Sequence, residues 1–585
     1  MRHVVAGVLA AFTIGAVVAP SRGAAQSPRA EPLTLEGTLH PGEVGEVKYQ
    51  VIKPAAWNGT LVLDLDFTTS WNPAQRQWFL DRGYAIGGTH RNQNESGYNV
   101  REIVENQVAL RRLLSEKAGT PKRTIAFGVS RGAIISRSMI DMHPEIFDAA
   151  LAFAGGGAGV IGYLQSKLDQ TFVLKTLVDP ASTLPLVNLP RPQAGGAVEI
   201  GYAAMLEKAR STAQGRARLT LAAAFDQQPR WSLVRTPKPA ADDLDTQAAN
   251  MQAGFNPNLG PRWQAEAVNG GNVSWNHGVD YRAALEKTGV ADVVRDQYRK
   301  AGLDLQADLE ALAKAPRIAA DPAVVAKAER NYSYTGKVRG PVLSLKTVGD
   351  PADPPSSDTA YNQTLQRAGT RDLLRVAYID RPGHSTQSLL EKVAAFQYLM
   401  NRLESGRWDE EAAVPARLNA LAAELAGAST VALGDSRFVN FQPAQALRTW
   451  DFTNFGTYRP AGATSAQSVA RTTRDGVYSA AQADRGHVVF ERACARCHGS
   501  DLRGDEIMEV PALADEHFAA SWGGEPLFAL FRKIGETMPA SAPGSLSPRE
   551  RADTVAYLLR ANHFPAGLDD LGTDPDLLNR IQISP

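Results

Sequence analysis

The chain has 585 residues, of which 44% are hydrophobic and 21% charged, with 62 Lys plus Arg against 62 Asp plus Glu. Zero net charge excludes the electrostatic footprint of a dedicated nucleic-acid binder, and the ordinary apolar share excludes wholesale disorder. Only two cysteines occur, Cys494 and Cys497, which excludes a disulfide framework.

Met1-Arg2-His3 is a short basic start, residues 4–20 are almost wholly apolar, and Gly23-Ala24-Ala25 supplies small residues. This order predicts a secretory signal peptide over 1–25, and hence an exported protein, periplasmic or secreted. The apolar run is short and broken by Gly and Pro, and no later stretch holds roughly twenty consecutive apolar residues, so no membrane span is predicted.

Residues 26–403 alternate strands and helices. Strands are predicted at 60–66 and 84–88, and a helix at 99–116, where Val100, Ile103, Val104 and Val108 recur at helical spacing. A buried strand at 123–128, a helix at 133–142 and a strand at 149–154 follow. Such alternation predicts an α/β fold, a parallel sheet with helices on both faces. Between about 155 and 339 the rhythm gives way to helical segments with Pro- and Gly-rich joints, read as an inserted cap. Its first residues, Gly157-Ala158-Gly159-Val160-Ile161-Gly162, match a dinucleotide-binding pattern, but their place after the strand at 149–154 reads better as the entry to the cap. Strands resume at 341–345 and 374–379.

The chemistry of this half centres on Gly128-Val129-Ser130-Arg131-Gly132, which lies between a predicted strand and a predicted helix. A serine on that sharp turn is held out of the sheet, and the glycines let neighbouring chain pass where no Cβ fits. The pattern demands an acid after a later strand and then a histidine. Asp350 follows the strand at 341–345, and His384 follows the strand at 374–379. Ser130 reads as the nucleophile, His384 as the general base and Asp350 as the group that orients the imidazole. Asp353, on the same loop as Asp350, is the alternative acid. His90, at the end of another strand, reads as structural or substrate-facing.

These motifs, together with the pieces WNGTLVL, GYAIGGTHR and VGDPADPP, resemble the α/β-hydrolase family over about residues 40–403. The resemblance implies an oxyanion hole built from the backbone N–H of Arg131 and an N–H of the loop after the first parallel strand, Phe67 or Thr68 here. Many members have His-Gly at that loop, whereas this chain has Asp64-Leu65-Asp66. Two carboxylates there oppose a developing oxyanion unless they point away or are paired.

Residues 404–474 hold an Ala-rich helix, an irregular stretch and the small-residue run 459–465, read together as a connecting region and linker. Residues 475–585 read as a separate helical unit. Its strongest motif is Cys494-Ala495-Arg496-Cys497-His498: two thiols can add to the two vinyl groups of one haem, and the adjacent imidazole reaches the iron. Met538, beside Pro539, is the expected sixth ligand; Met508 is the second choice, too near His498 to cross to the opposite face easily. The block resembles class I c-type cytochrome domains, in particular those associated with quinoprotein alcohol dehydrogenases, through VFERACARCHGSDLRG, PALA, KIGETMPASAPGSLSP and AYLLRANHFPAG.

The expected architecture is thus an α/β-hydrolase sheet with a large helical cap insertion, followed by a small all-α cytochrome c domain. The expected function is a periplasmic serine hydrolase acting on a small-molecule ester, or on a ketone activated by a second carbonyl, joined to one covalent haem c for electron transfer. A periplasmic alcohol dehydrogenase is the expected electron donor. The alternative is an electron-transfer cytochrome whose hydrolase-like part is an inactive binding scaffold.

Overall fold

The computed structural model describes residues 31–39, 46–91, 95–429, 432–448, 471–504, 510–567 and 570–584. The expected leader, the run 459–465 and Met508 lie outside the described residues. The chain divides into two compact units, one up to Pro460 and one from Ala461 onward.

The first unit is built on one sheet. Its strands are β1 (Leu33–Leu39), β2 (Val47–Lys53), β3 (Thr60–Asp64), β4 (Ala85–Thr89), β5 (Arg123–Val129), β6 (Ala149–Phe153), β7 (Val342–Gly349), β8 (Leu374–Pro382) and β9 (Phe438–Val439). They lie in the order β1-β2-β4-β3-β5-β6-β7-β8-β9. From β4 through β8 all neighbours are parallel; β2 joins β4 and β9 joins β8 antiparallel. Strands β3, β4, β6 and β7 are buried along their whole length, as a parallel sheet covered on both faces requires. Side chains still alternate between the faces: Leu61 and Leu63 enter one apolar core and Val62 the other. The helices Val100–Ala118 and Arg131–Met142 cover the first face, and Pro73–Asp81 and Leu389–Ser405 cover the second. This is the expected α/β-hydrolase sheet.

Between β6 and β7 lies the helical insertion, from helix Gly159–Val178 to helix Pro322–Tyr332. Much of it closes over an apolar core of its own, which includes Phe172, Leu221, Tyr281, Val293 and Leu309. The run 157–162, with its dinucleotide-like spacing, leads into the first of these helices.

The sheet takes in residues that the sequence reading left to the connector. Helix Val414–Gly427 turns Val414, Leu418, Leu421 and Ala422 into the second core, and β9 extends the sheet beyond β8. Alanine-richness had hidden a genuine apolar face, and a strand of two residues leaves no periodic signal. Further on, Arg448 donates to Asp169 in the insertion at 2.7 Å and to the Trp275 carbonyl at 2.5 Å.

The second unit is helical around its own core, except that β10 (Arg471–Thr472) pairs with β11 (Ile581–Gln582), a two-strand sheet that the all-α expectation missed. Helix Ala480–Ala493 packs closely on helix Pro548–Ala561. Gly486 makes the approach possible, since a Cβ there would lie 1.8 Å from the Asp553 carbonyl oxygen. Among the described residues no helix is long and apolar enough to cross a membrane.

Arg137 ties the helix Arg131–Met142 to β7 by a hydrogen bond and to helix Ser357–Ala368 by a buried ion pair. Arg137, fully buried, donates to Asp358 at 2.9 Å and to Ser344 Oγ, and also to the Gly155 carbonyl. Removing one partner strands the other charge in an apolar interior. Arg137→Met is expected to cost about 3–5 kcal/mol in chemical denaturation, and adding Asp358→Leu to restore much of it.

Candidate functional site

Strand β5 ends at Val129 and the next helix begins at Arg131, so the whole turn falls on Ser130. Its backbone sits at φ 59° and ψ −118°, a region that a residue with a Cβ enters only under constraint. Gly128 makes the corner sterically feasible: a Cβ there would lie 1.9 Å from the Gly132 carbonyl oxygen. The serine side chain is thereby carried out at the carboxyl end of the parallel strands.

Two further strand ends deliver its partners. Asp350 follows β7 and His384 follows β8. The Ser130 hydroxyl lies 2.8 Å from His384 Nε2, and His384 Nδ1 lies 2.9 Å from both carboxylate oxygens of Asp350. Asp350 is fully buried, and its Oδ1 also accepts from the Ala352 and Asp353 backbone N–H groups. This constellation can deprotonate the serine as it attacks and stabilise the imidazolium that forms. Asp353, the alternative acid, points elsewhere: it is salt-bridged to buried Lys346 and accepts from Ser357 Oγ at 3.0 Å. Burial works to raise its pKa, but Lys346 and Ser357 together hold it below the ordinary value.

The loop after β3 lies against this corner. Phe67 opens the short helix Phe67–Ser70, and Arg131 opens its own helix. The N–H groups of both are therefore free of their helices' internal ladders, as an oxyanion donor must be. Thr68 Oγ1 hydrogen-bonds His90 Nε2, so His90 is bound to this loop.

The two carboxylates of the loop are treated differently. Asp66 is salt-bridged to Arg91 and accepts the Arg91 backbone N–H at 2.7 Å. Asp64 is buried at 1% exposure and accepts from Trp71 Nε1 at 2.7 Å. Burial pushes its pKa up to about 8, with the Trp71 hydrogen bond working against the rise, so the group is largely neutral at pH 7. Its Oδ1 lies against Gly132, 2.9 Å from where a Cβ would stand. Trp71 and Arg91 were invisible to motif reading, since nothing local marks a residue 7 or 25 positions away as a carboxylate's partner. A cavity of about 600 Å³ opens nearby, lined in part by Trp231, Val348, Pro355 and Phe441; none of Ser130, Asp350 and His384 lines it.

In the second unit, helix Ala480–Ala493 delivers Cys494, and the turn Ala495–His498 presents Cys497 and His498. Neither thiol is in a disulfide. Burial, reinforced by the neighbouring Cys497, pushes the Cys494 thiol up to about 11, the reverse of what a thiol-exchange pair needs. His498 is buried, and its Nδ1 donates to the Pro511 carbonyl at 2.9 Å, which fixes the ring and leaves Nε2 for a metal. Half-buried apolar side chains, Leu513, Trp522 and Phe528 among them, pack on the same core as Cys494. Met538 follows helix Leu527–Thr537, half-buried, with its N–H bonded to the Ile534 carbonyl. These residues fit a haem: Cys494 and Cys497 stand beside His498 on one turn, and Met538 follows helix Leu527–Thr537.

Comparisons with known proteins agree with both halves. The family model "Tannase-like family of unknown function" matches residues 38–179, and "Cytochrome C oxidase, cbb3-type, subunit III" matches residues 481–558. The chain is 29% identical over 453 residues to an o-phthalyl amidase of Xanthobacter agilis, covering 72% of this chain and 97% of that one. Among solved structures, feruloyl esterase B from Aspergillus oryzae (11% identity, TM-score 0.32) covers 64% of this chain and 82% of that one. A carboxyl esterase from Bacillus coagulans (12% identity, TM-score 0.31) covers 64% and 97%. Those scores are too low to add to what the sheet order itself shows.

Two tests follow from this geometry. Asp350→Asn is expected to lower kcat on an activated ester by about 10³–10⁴-fold, whereas Asp353→Asn acts on stability instead, which steady-state kinetics and denaturation separate. Asp64 carries a pKa raised from 3.8 to about 8, so the folded chain keeps a proton that the unfolded chain gives up. Its contribution to stability therefore falls as pH rises through that window. Asp64→Asn is expected to gain stability relative to wild type between pH 4 and 8, by about a few kcal/mol at the upper end, in denaturation curves taken along the pH series.

Proposed function

We propose that this chain, in which a tannase-like hydrolase domain of the esterase and amidase type precedes a cytochrome c domain, is an exported serine hydrolase with a covalently bound haem c. The observation that carries the hydrolase reading is the continuous hydrogen-bonded run from Ser130 through His384 to Asp350. The Ser130 oxygen attacks the substrate carbonyl while His384 Nε2 takes the hydroxyl proton. The carbonyl oxygen gains the negative charge, which the N–H groups of Arg131 and Phe67 receive. His384 then gives the proton to the leaving group as the tetrahedral intermediate collapses to an acyl-serine. Water, deprotonated by the same imidazole, releases the acid and restores the serine. Esters, amides and ketones activated by a second carbonyl all fit this sequence, and kinship to an amidase supports the acyl-transfer class.

The alternative, an inert scaffold carrying a cytochrome, drew its motive from Asp64 and Asp66. Pairing with Arg91 and the largely neutral state of Asp64 remove that motive.

In the second unit Cys494 and Cys497 would hold the haem through thioethers, with His498 and Met538 as iron ligands. The bound group supplies one-electron transfer at a potential that a thioether ligand raises. Hydrolysis itself moves no electrons, so the value of the fusion lies in co-localisation with an electron donor, for which a periplasmic alcohol dehydrogenase handling the same compounds is our proposal. The basic, apolar and small-residue order of residues 1–25 supports export.

Substitutions in each half test the reading. Ser130→Ala is expected to abolish both fluorophosphonate labelling and ester hydrolysis in the full-length protein; equal turnover by wild type and mutant would sink the serine mechanism. Cys494→Ala with Cys497→Ala is expected to remove the haem that survives denaturing electrophoresis, and Met538→Ala to lower the reduction potential in spectroelectrochemistry.

A further inference from the structure

The mechanism above leaves the cavity of about 600 Å³ without a role. Three parts of the fold supply its walls: Trp231 and Val290 come from the insertion, Val348 and Ser356 from β7 and the loop after it, and Phe441 and Ala444 from the chain beyond β9. The last wall is pinned in place. Gln227 donates to the Gln445 carbonyl at 2.9 Å and accepts the Leu447 N–H at 3.0 Å, and the Ala446 N–H meets Thr359 Oγ1 at 2.8 Å. The cavity is therefore built before a ligand arrives, which lowers the cost of binding.

Its apolar character continues outside. Among the described residues of the first unit, the exposed large apolar side chains are Leu33, Ile200, Leu233, Val234 and Phe441. Phe441 stands on the cavity wall, and Leu233 and Val234 follow Trp231 closely in the chain. Exposed apolar surface at a concave site of this size marks a place where a small molecule binds.

The polar groups of the wall restrict the ligand's charge. Arg230 and Lys238 are the charged residues that line it. Arg230 is salt-bridged to Asp292 and also donates to Gln247 and to the Gly289 carbonyl, and Lys238 is salt-bridged to Asp380. Each cation brings its own carboxylate, so the wall offers no surplus charge to an ion. Gln227, Gln228 and Gln247 donate their amide N–H groups within the protein. The Ser356 hydroxyl and the Gln442 amide have no hydrogen-bond partner among the described residues and remain for a ligand. Trp231 and Phe441 supply aromatic surface.

We propose that this cavity is a second ligand site, separate from the Ser130 centre, and that it takes an uncharged compound with a flat aromatic body and a hydrogen-bonding group. The site adjoins the acid's strand without opening on the nucleophile. Val348 lines it, and the Trp231 carbonyl oxygen lies 1.9 Å from where a Cβ of Gly349, the residue before Asp350, would stand.

The test is calorimetric titration of the full-length protein with 2-naphthol and with naphthalene-2-sulfonate, which has the same rings and a fixed charge. 2-Naphthol is expected to bind at a single site per chain, about tenfold or more tighter than the sulfonate. Ala444→Trp and Ala241→Trp fill the cavity from two different walls, and each is expected to weaken that binding about tenfold or more. Ala241 is exposed, so its replacement leaves the core intact. Protein whose Ser130 carries a fluorophosphonate adduct is expected to bind 2-naphthol as before. No binding, equal affinity for the two probes, binding that survives both fillings, or binding lost once Ser130 is blocked overturns the proposal. These readouts need no turnover, so failure of the hydrolase reading leaves them unchanged.

Discussion

The hydrolase half depends on a single unfavourable backbone geometry. Ser130 stands at a positive φ between a buried strand and a buried helix, and its neighbours offer no room to relax. Gly128 lets the helix start fold back over the strand end, and Arg137, six residues into the same helix, is clamped to Asp358, Ser344 and the Gly155 carbonyl. That clamp crosses from the helix after Ser130 to β7, the strand whose end carries Asp350. The serine and its acid are thus referred to one rigid frame, and His384 completes it from the end of β8.

The second unit solves a comparable problem with less material. It packs its own core and crosses two helices at Gly486, so its fold does not draw on the sheet. The Cys494–His498 turn is fixed from two sides: helix Ala480–Ala493 runs into it, and Pro511 accepts the His498 ring N–H. An imidazole oriented before the metal arrives is the usual condition for a well-defined ligand field.

The frame of this molecule was legible because its parts lie at strand ends. Ser130, Asp350 and His384 each follow an apolar run bounded by Gly, Pro or Asp, and the cysteine motif is contiguous. What stayed hidden depends on side chains far apart in the chain. The choice between Asp350 and Asp353 turns on which of them meets Lys346, and both stand on one short loop. The harmlessness of Asp64 and Asp66 turns on Trp71 and Arg91, a matter of packing that no periodicity encodes. The ninth strand was hidden by its length of two residues, and the packing of the expected Ala-rich helix on the sheet was hidden by its alanines.

Asp64 has one more effect. A carboxyl group that stays protonated because it is dry acts as a silent substituent beneath the catalytic corner, pressed against Gly132 at the start of the nucleophile's helix. On the proposed mechanism, alkali would convert it to an anion close to the charge of the tetrahedral intermediate. The same side chain that is inert in neutral solution would then become an electrostatic brake, giving the turnover profile a descending alkaline limb written by a group that never touches the substrate.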